Sequence, residues 1–379
     1  MGLNNPTLFT FVVYLVSIVG IGLIAFQRTQ NISDYLLGGR KLGPLVTALS
    51  VGASDMSGWL LLGLPGAIYV NGFGEVWLAI GLLSGAYINW KVVARPLRVF
   101  TVHVGDSLTL PDYLERRFCD ETRMLRLLAS VVTLLFFIFY TASGLVGGAI
   151  LFESSFGVSY EIALLVGGFI IVSYTFVGGF LPVSWTDAIQ ALLMAGALIA
   201  VPSMVVFTDA NGIGSGVVLD QLDSFLEVGF IGVLSLLAWG LGYPGQPHVL
   251  TRFMAIEDPK KIVSARRFAM SWMLLVLTGS ILTGLMGVSY FVDEPLQNPE
   301  TVFILLSNSL FNPWVAGIIT AAILSAIMST VDSQLLVASS VISQDFYRVF
   351  LRPGASEREL LGVSPVSYTH LTLPTNREV

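Results

Sequence analysis

The fold of this chain is decided by the stretch Ser50-Val51-Gly52-Ala53-Ser54-Asp55-Met56-Ser57-Gly58-Trp59. The stretch lies within a hydrophobic run, residues 43–70, that is long enough to cross a lipid bilayer. Yet it carries an aspartate, three serines and two glycines. A carboxylate at the centre of a spanning helix costs roughly 3 kcal/mol. We therefore expect Asp55 to face protein or water and not lipid.

The two glycines of this stretch, Gly52 and Gly58, allow the helix to open and to free backbone carbonyls. Non-helical backbone is tolerated inside a membrane only where it is buried or lines a cavity. Free carbonyls beside hydroxyls suit a small hard cation. The stretch predicts a broken helix that holds an ion and part of a substrate site. The alternative is that the small residues only permit close helix packing and that Asp55 caps a half-helix.

The composition places the chain in a membrane. Of its 379 residues 54% are hydrophobic and 12% are charged, and the mean hydropathy is +0.79, whereas soluble domains carry about 25% charged residues. The net charge of -6 and the lack of basic stripes give no reason to expect nucleic acid. The sequence has no GxxxxGK[ST] loop and no evident nucleophile–base pair, so we expect a protein that is not an enzyme.

The hydropathy pattern predicts nine spanning helices, within a membrane domain over residues 1–350. They are 6–26, 43–70, 74–94, 125–152, 159–178, 187–207, 229–249, 268–292 and 313–343. When the loops are assigned alternately to two sides, all 19 Lys and Arg fall on one side. Positive loops stay cytoplasmic, so we expect the N-terminus to lie outside the cell. The first run lacks a basic n-region and is too long for a signal peptide.

A second interrupted span lies at 229–249. Its inner half, 237–247, contains two prolines and three glycines, which weaken a helix. Interrupted segments in corresponding positions of two halves are a pointer to a transporter binding site. The spans 43–70 and 229–249 are five helices apart and run in opposite directions, which is the spacing of a five-helix inverted repeat.

Three other segments allow two interpretations each. Ser329 and Thr330 of the last span either bond back to their own helix or, with Asp332, help to hold a cation. Thr186 or Asp187 is expected to cap the helix that follows the turn 178–187, although Asp187 is also a candidate for the ion's inward path. The stretch 109–115 is either a short amphipathic helix or a surface loop.

The end of the chain changes in character. Residues 351–379 form a polar tail, and the last fourteen or so read as neither helix nor motif, so we expect a non-native terminus there. A second repeat that starts at 229 is only three helices long. We therefore expect an incomplete second repeat in a truncated chain.

Five motifs now carry a resemblance. The chain resembles the solute:sodium symporter family from about residue 7 to about residue 362 in ALSVGASDMSGWLLLGLPG (48–66), LTLPDYLERRF (108–118), YTFVGGFLPVSWTDAIQ (174–190), WGLGYPGQPH (239–248) and SAIMST (325–330). The resemblance implies an all-α polytopic membrane protein, an inverted five-helix-repeat (LeuT-like) bundle with an extra N-terminal helix. It also implies sodium-coupled import of a small solute, with L-proline as the expected substrate, Na⁺ as the co-transported ion and no organic cofactor.

The resemblance also implies roles for individual residues. Sodium would bind carbonyl oxygens and hydroxyls of Ala53, Met56, Ala326, Ser329 and Thr330. The substrate would contact Ser57, Trp59, Gly63, Tyr140, Trp239, Tyr243 and Pro247. Coupling would depend on Asp55, Arg40 and Asp187. Asp332 and Ser333 depart from the family pattern.

Other functions stay open at this point. The same machinery could carry another small solute, such as a carboxylate or a vitamin. A membrane sensor is a different class, because related bundles are fused to signalling domains. An ion channel is less favoured, because no repeated selectivity filter is visible in the sequence.

Overall fold

The computed structural model describes residues 6–26, 31–208, 224–357 and 359–364. Those residues form fifteen α-helices. They are α1 Pro6–Phe26, α2 Ile32–Leu37, α3 Pro44–Met56, α4 Gly63–Asn71, α5 Val76–Ile88, α6 Ala94–His103, α7 Leu110–Arg117, α8 Met124–Phe156, α9 Tyr160–Gly178, α10 Phe180–Thr208, α11 Phe230–Leu237, α12 Pro247–Ala255, α13 Ile262–Tyr290, α14 Val302–Leu310 and α15 Pro313–Ser340. The expected non-native terminus and most of the loop around 209–223 lie outside the described residues.

Short 3₁₀ and π-helical segments join several of these helices. The 3₁₀ turns are Gly38–Arg40, Gly58–Leu60, Gly72–Glu75, Ala238–Gly245, Pro259–Lys261 and Pro299–Thr301. Two wider, π-helical segments, Asn89–Val93 and Val341–Leu351, continue α5 and α15. Within the described residues, five helical stretches are long and apolar enough to cross a membrane: Gly58–His103, Met124–Phe156, Phe180–Thr208, Pro259–Tyr290 and Pro313–Leu351. Three shorter apolar helices accompany them, Pro6–Ile21, Tyr160–Ile170 and Phe230–Gly245.

The helices extend beyond the apolar runs that predicted them. The run 74–94 continues to His103, and the run 313–343 continues to Leu351. Hydropathy marks the part of a helix that lies among apolar neighbours, and polar residues can carry the same helix further. The division into nine spans therefore stays a prediction.

One expected cap is wrong. Thr186 and Asp187 lie two turns inside α10, which begins at Phe180 directly after Gly179. The turn is confined to Gly179, whose φ of +71° suits glycine. Pro182 does not mark a loop, because proline fits the first turn of a helix. Thr186 instead bonds back to the carbonyls of its own helix.

Two local predictions had different outcomes. The short helix over 109–115 is confirmed as α7, whose N-cap Thr109 accepts a hydrogen bond from the Asp112 backbone N–H. The sequence did not predict α14, which has only nine residues and packs Phe303 and Leu306 into the core.

The two interrupted segments are broken in the structure as the sequence predicts. Helix α3 ends at Met56, Ser57 has a φ of +49°, and α4 begins at Gly63. The second segment passes from α11 through the 3₁₀ turn Ala238–Gly245 into α12. At one end of the bundle the two segments meet in a short parallel bridge. There the Leu42 N–H donates to the Ala255 carbonyl (3.2 Å), and the Glu257 N–H donates to the Leu42 carbonyl (2.9 Å).

The second break packs closely against α5 because glycines face each other there. A Cβ atom on Gly85 would lie 2.5 Å from the Cα of Gly240, and one on Gly81 would lie 2.7 Å from the Cα of Leu237. Both neighbours are backbone atoms that cannot rotate away. The second break can therefore lie at this distance from α5 only because Gly81 and Gly85 have no side chain.

We predict that Gly85→Ala lowers the free energy of unfolding by about 1–3 kcal/mol, the usual cost of overpacking. Gly196→Ala is the matched control, because nothing lies within 4 Å of a Cβ at that position in α10. Thermal unfolding in detergent measures both variants. Equal melting temperatures would contradict the close contact between α5 and the second break.

Candidate functional site

The break after α3 leaves backbone carbonyls without helical partners. The carbonyls of the last four helical residues, Ala53 to Met56, have no following helical turn whose N–H groups could donate to them. The Ala53 carbonyl accepts hydrogen bonds from the hydroxyls of Ser329 (2.9 Å) and Thr330 (3.4 Å). Both hydroxyls also lie 3.2 Å from the Ala326 carbonyl of their own helix.

Four of the five predicted sodium ligands therefore meet at one buried point between α3 and α15. Ala53, Ala326 and Ser329 are fully buried, and Thr330 is 2% exposed. The fifth, Met56, is the last residue of α3 and is also buried. The hydroxyls bond back to their own helix, as the first interpretation expects, and they also reach across to α3. Cation binding by these hydroxyls stays a prediction. Carbonyls and hydroxyls in this number are the ligands that a hard cation takes.

Asp55 does not point to this oxygen cluster. Its carboxylate accepts a hydrogen bond of 2.7 Å from the hydroxyl of Tyr243, which lies in the second break. The carboxylate thus links the two broken segments. The sequence placed both residues in a functional set but gave no reason to pair them.

Four predicted substrate residues lie together beside the first break. The indole rings of Trp59 and Trp239 stack with centroids 5.9 Å apart and planes 25° apart. Gly63 lies against the indole of Trp59, where a Cβ would collide with the ring. The Ser57 hydroxyl accepts a hydrogen bond from the Trp59 N–H (3.2 Å). Of the other three predicted residues, Tyr243 donates to Asp55. Tyr140 and Pro247 border His248, whose ring lies 6.3 Å from that of Tyr140.

Asp187 forms a buried ion pair that the sequence did not predict. The Arg252 guanidinium lies 2.7 Å from the Asp187 carboxylate, and both side chains are at most 1% exposed. Ser50 donates to the same carboxylate oxygen (2.7 Å). Arg252 also donates to the hydroxyl of Ser333 (2.5 Å). Arg252 lies in α12, where a lone basic residue near a span end looks like an ordinary cytoplasmic charge.

The ion pair is connected to the oxygen cluster through α15. Ser333 donates to the Ser329 carbonyl (2.6 Å), one turn from the hydroxyls that face α3. Asp332 is fully buried, and one of its oxygens has no hydrogen-bond partner among the described residues. Two buried carboxylates, Asp187 and Asp332, thus share the neighbourhood of one guanidinium.

Arg40 lies away from the cluster, at the end of the bundle where the two broken segments form the parallel bridge. It donates to the Met254 carbonyl in the last turn of α12 (2.6 Å) and pairs with Asp106 (2.9 Å). Burial lowers the pKa of Arg40, and the carboxylate of Asp106 opposes that shift. Arg40 thus packs against α12, away from the ion and substrate residues, and its role in coupling stays a prediction.

The comparison with protein families gives the class of this site. The sodium:solute symporter family model matches residues 35–372. The chain belongs to the sodium:solute symporter family. A sodium/proline symporter of Escherichia coli is 52% identical over 378 residues, which cover 97% of this chain and 75% of that protein. A high-affinity proline transporter of Bacillus subtilis is 48% identical, over 93% of this chain and 77% of the relative.

Solved structures show the same fold at low sequence identity. A Na⁺-coupled sialic acid symporter in a substrate-bound outward-open state has a TM-score of 0.86 and 19% identity, over 97% of this chain and 80% of that chain. MhsT in complex with L-phenylalanine has a TM-score of 0.60 and 13% identity, over 88% and 78%. The symporter described here is thus an all-helical, multi-pass membrane transporter whose structural neighbours have LeuT-like folds.

We predict that Arg252→Gln lowers the free energy of unfolding by about 3–5 kcal/mol, because removal of one partner leaves buried charge uncompensated. Thermal unfolding of the purified symporter in detergent measures the effect. Arg352→Gln is the control, since Arg352 is 65% exposed in its pair with Glu359 and should change little. A control as damaging as Arg252→Gln would contradict the importance of the buried pair.

Proposed function

We propose that this chain is a secondary transporter that couples the entry of Na⁺ to the import of L-proline across the bacterial cytoplasmic membrane. One observation carries the sodium half of the proposal, namely the meeting of the Ala53 carbonyl with the hydroxyls of Ser329 and Thr330. Identities near 50% to proline transporters support the substrate. The basic loops support an N-terminus outside the cell.

Sodium would enter between α3 and α15. The carbonyls of Ala53, Met56 and Ala326 would supply lone pairs to the ion. The hydroxyls of Ser329 and Thr330 can rotate their hydrogens away from Ala53, so that their own lone pairs also face the ion. The bound ion would then replace two weak hydrogen bonds as the link between a broken helix and a continuous one.

Proline would lie at the neighbouring aromatic residues. The faces of Trp59, Tyr140 and Trp239 offer apolar contact to a pyrrolidine ring. A substrate carboxylate suits the N-terminal end of a half-helix such as α4, and an amine suits the carbonyl end of α3. Gly63 at the start of α4 leaves room for the Trp59 indole to lie against the backbone. Ion and substrate thus share α3 and its break.

The driving force is adequate for uptake. One sodium ion that crosses about 100 mV releases roughly 2.3 kcal/mol, to which its concentration gradient adds. We further propose that the two broken segments are corresponding members of inverted repeats. That arrangement would let one half of the bundle rock against the other around a fixed site.

We predict that Asp55→Asn abolishes sodium-driven proline uptake in proteoliposomes while the symporter still inserts. Asparagine keeps a hydrogen-bond acceptor for Tyr243 but removes the charge between the two breaks. Asp293→Asn, an exposed acid after α13, is the control. Uptake by Asp55→Asn near the parent level would contradict the proposed coupling role.

We also predict that Ser329→Ala and Thr330→Ala each raise the sodium concentration needed for half-maximal uptake, with less effect on proline affinity at saturating sodium. Each change removes one oxygen ligand and leaves the aromatic pocket intact. Ser339→Ala is the control, since Ser339 is buried in the same helix and bonds to the Leu336 carbonyl. Unchanged sodium titrations in both variants would mean that the hydroxyls only bond back to α15.

A further inference from the structure

The loop between α6 and α8 is tied down at two neighbouring points. Arg40 donates to the Ser107 carbonyl (2.8 Å), and Thr109 donates to the Asp345 carboxylate (3.0 Å). Ser107 and Thr109 are only two residues apart in the sequence. We refer to this loop, residues 105–117, as the strap.

Arg126 holds the second of these points from the first turn of α8. Its guanidinium pairs with Asp112 and with Glu115 (2.7 Å), both in α7, and lies 3.5 Å from Asp345. Arg126 is 8% exposed and Asp345 is 1% exposed. One guanidinium thus joins three carboxylates from two helices in a place that water hardly reaches. Such a cluster fixes the helices to one another, because separating them would leave buried charges unpaired.

Asp345 belongs to the helix that carries the proposed sodium ligands. Helix α15 continues without interruption into the π-helical segment Val341–Leu351. Fifteen residues separate Thr330 from Asp345, so the two lie about 22 Å apart along one helix. Segments of π-helix are rare and are found frequently at functional sites. A displacement of α15 at the oxygen cluster would therefore be felt at Asp345.

The first point of the strap is connected to the second broken segment. Arg40, which holds the Ser107 carbonyl, also donates to the Met254 carbonyl in the last turn of α12 (2.6 Å). The strap therefore gives a direct connection from α15, through Asp345 and Thr109, to the end of α12.

We propose that Arg126 and Asp345 are positioning residues of the symport cycle. They pass the effect of sodium binding at α15 through the strap to the ends of the broken helices. The inference rests on the proposed sodium symport. In this account the residues touch neither ion nor substrate, and they act by keeping α15, α8 and the strap in one register.

The sequence provides its own probe of strap movement. Cys119 is the single cysteine of the chain, is exposed, and follows α7 by two residues. The rate at which a maleimide labels Cys119 can be measured in nanodiscs, where both membrane faces are open to the reagent. We expect NaCl to change this rate severalfold relative to choline chloride in the parent symporter.

Asp345→Asn separates positioning from folding. Asparagine still accepts the hydrogen bond from Thr109, but it removes one charge from the Arg126 cluster. We expect this variant to be protected by sodium against thermal unfolding as the parent is, while its Cys119 labelling no longer responds to sodium. Its maximal rate of proline uptake should fall without a matching change in half-saturating sodium. Arg126→Lys, which keeps the charge, should retain part of the labelling response.

Asp293→Asn is the matched control, because Asp293 is an exposed acid after α13 and lies outside the strap. It should respond to sodium as the parent does. A parent that sodium protects but whose Cys119 labelling rate is the same in sodium and choline would overturn the inference. So would a full labelling response in Asp345→Asn. Absence of any sodium protection in the parent would overturn the sodium symport itself, and this inference with it.

Discussion

A helix inside a membrane must satisfy its own backbone, and the interruption after Met56 leaves carbonyls with no water to bind. The structure places the hydroxyls of Ser329 and Thr330 opposite one of these carbonyls, that of Ala53. That arrangement requires α15 to lie against the end of α3. Helix α10 packs against both of these helices, so their contact lies at the centre of the bundle. The oxygens that meet at this point, those of Ala53, Ala326, Ser329 and Thr330, are all neutral.

The second break is held to the first by side chains that are themselves polar or aromatic. Tyr243 donates to Asp55, and Trp239 stacks on Trp59. Under the proposed function, a substrate bound beside these rings would disturb both contacts. The Asp187–Arg252 pair lies deeper and joins α10 to α12. Fixed charges in the packed interior and adjustable contacts at the breaks are what a transporter needs in order to move as two rigid parts.

Much of this arrangement could be predicted from the sequence, because polar residues in apolar runs have few explanations. The breaks in 43–70 and 229–249 came from that contrast. Pairings across the bundle could not be predicted, since neither Asp55 with Tyr243 nor Asp187 with Arg252 has a signal in spacing. Helix ends were missed for another reason. Hydropathy shows where lipid or core surrounds a helix, and α10 begins well before its apolar run, at Phe180.

The central claim is that ion and substrate share the break of α3, which makes their binding free energies linked and reciprocal. The direct measurement is the binding of labelled L-proline to the purified symporter over a range of Na⁺ at constant ionic strength, paired with Na⁺ binding over a range of proline. We expect sodium to strengthen proline binding and proline to strengthen sodium binding by the same factor. Proline affinity that is the same in Na⁺ and in choline would contradict it.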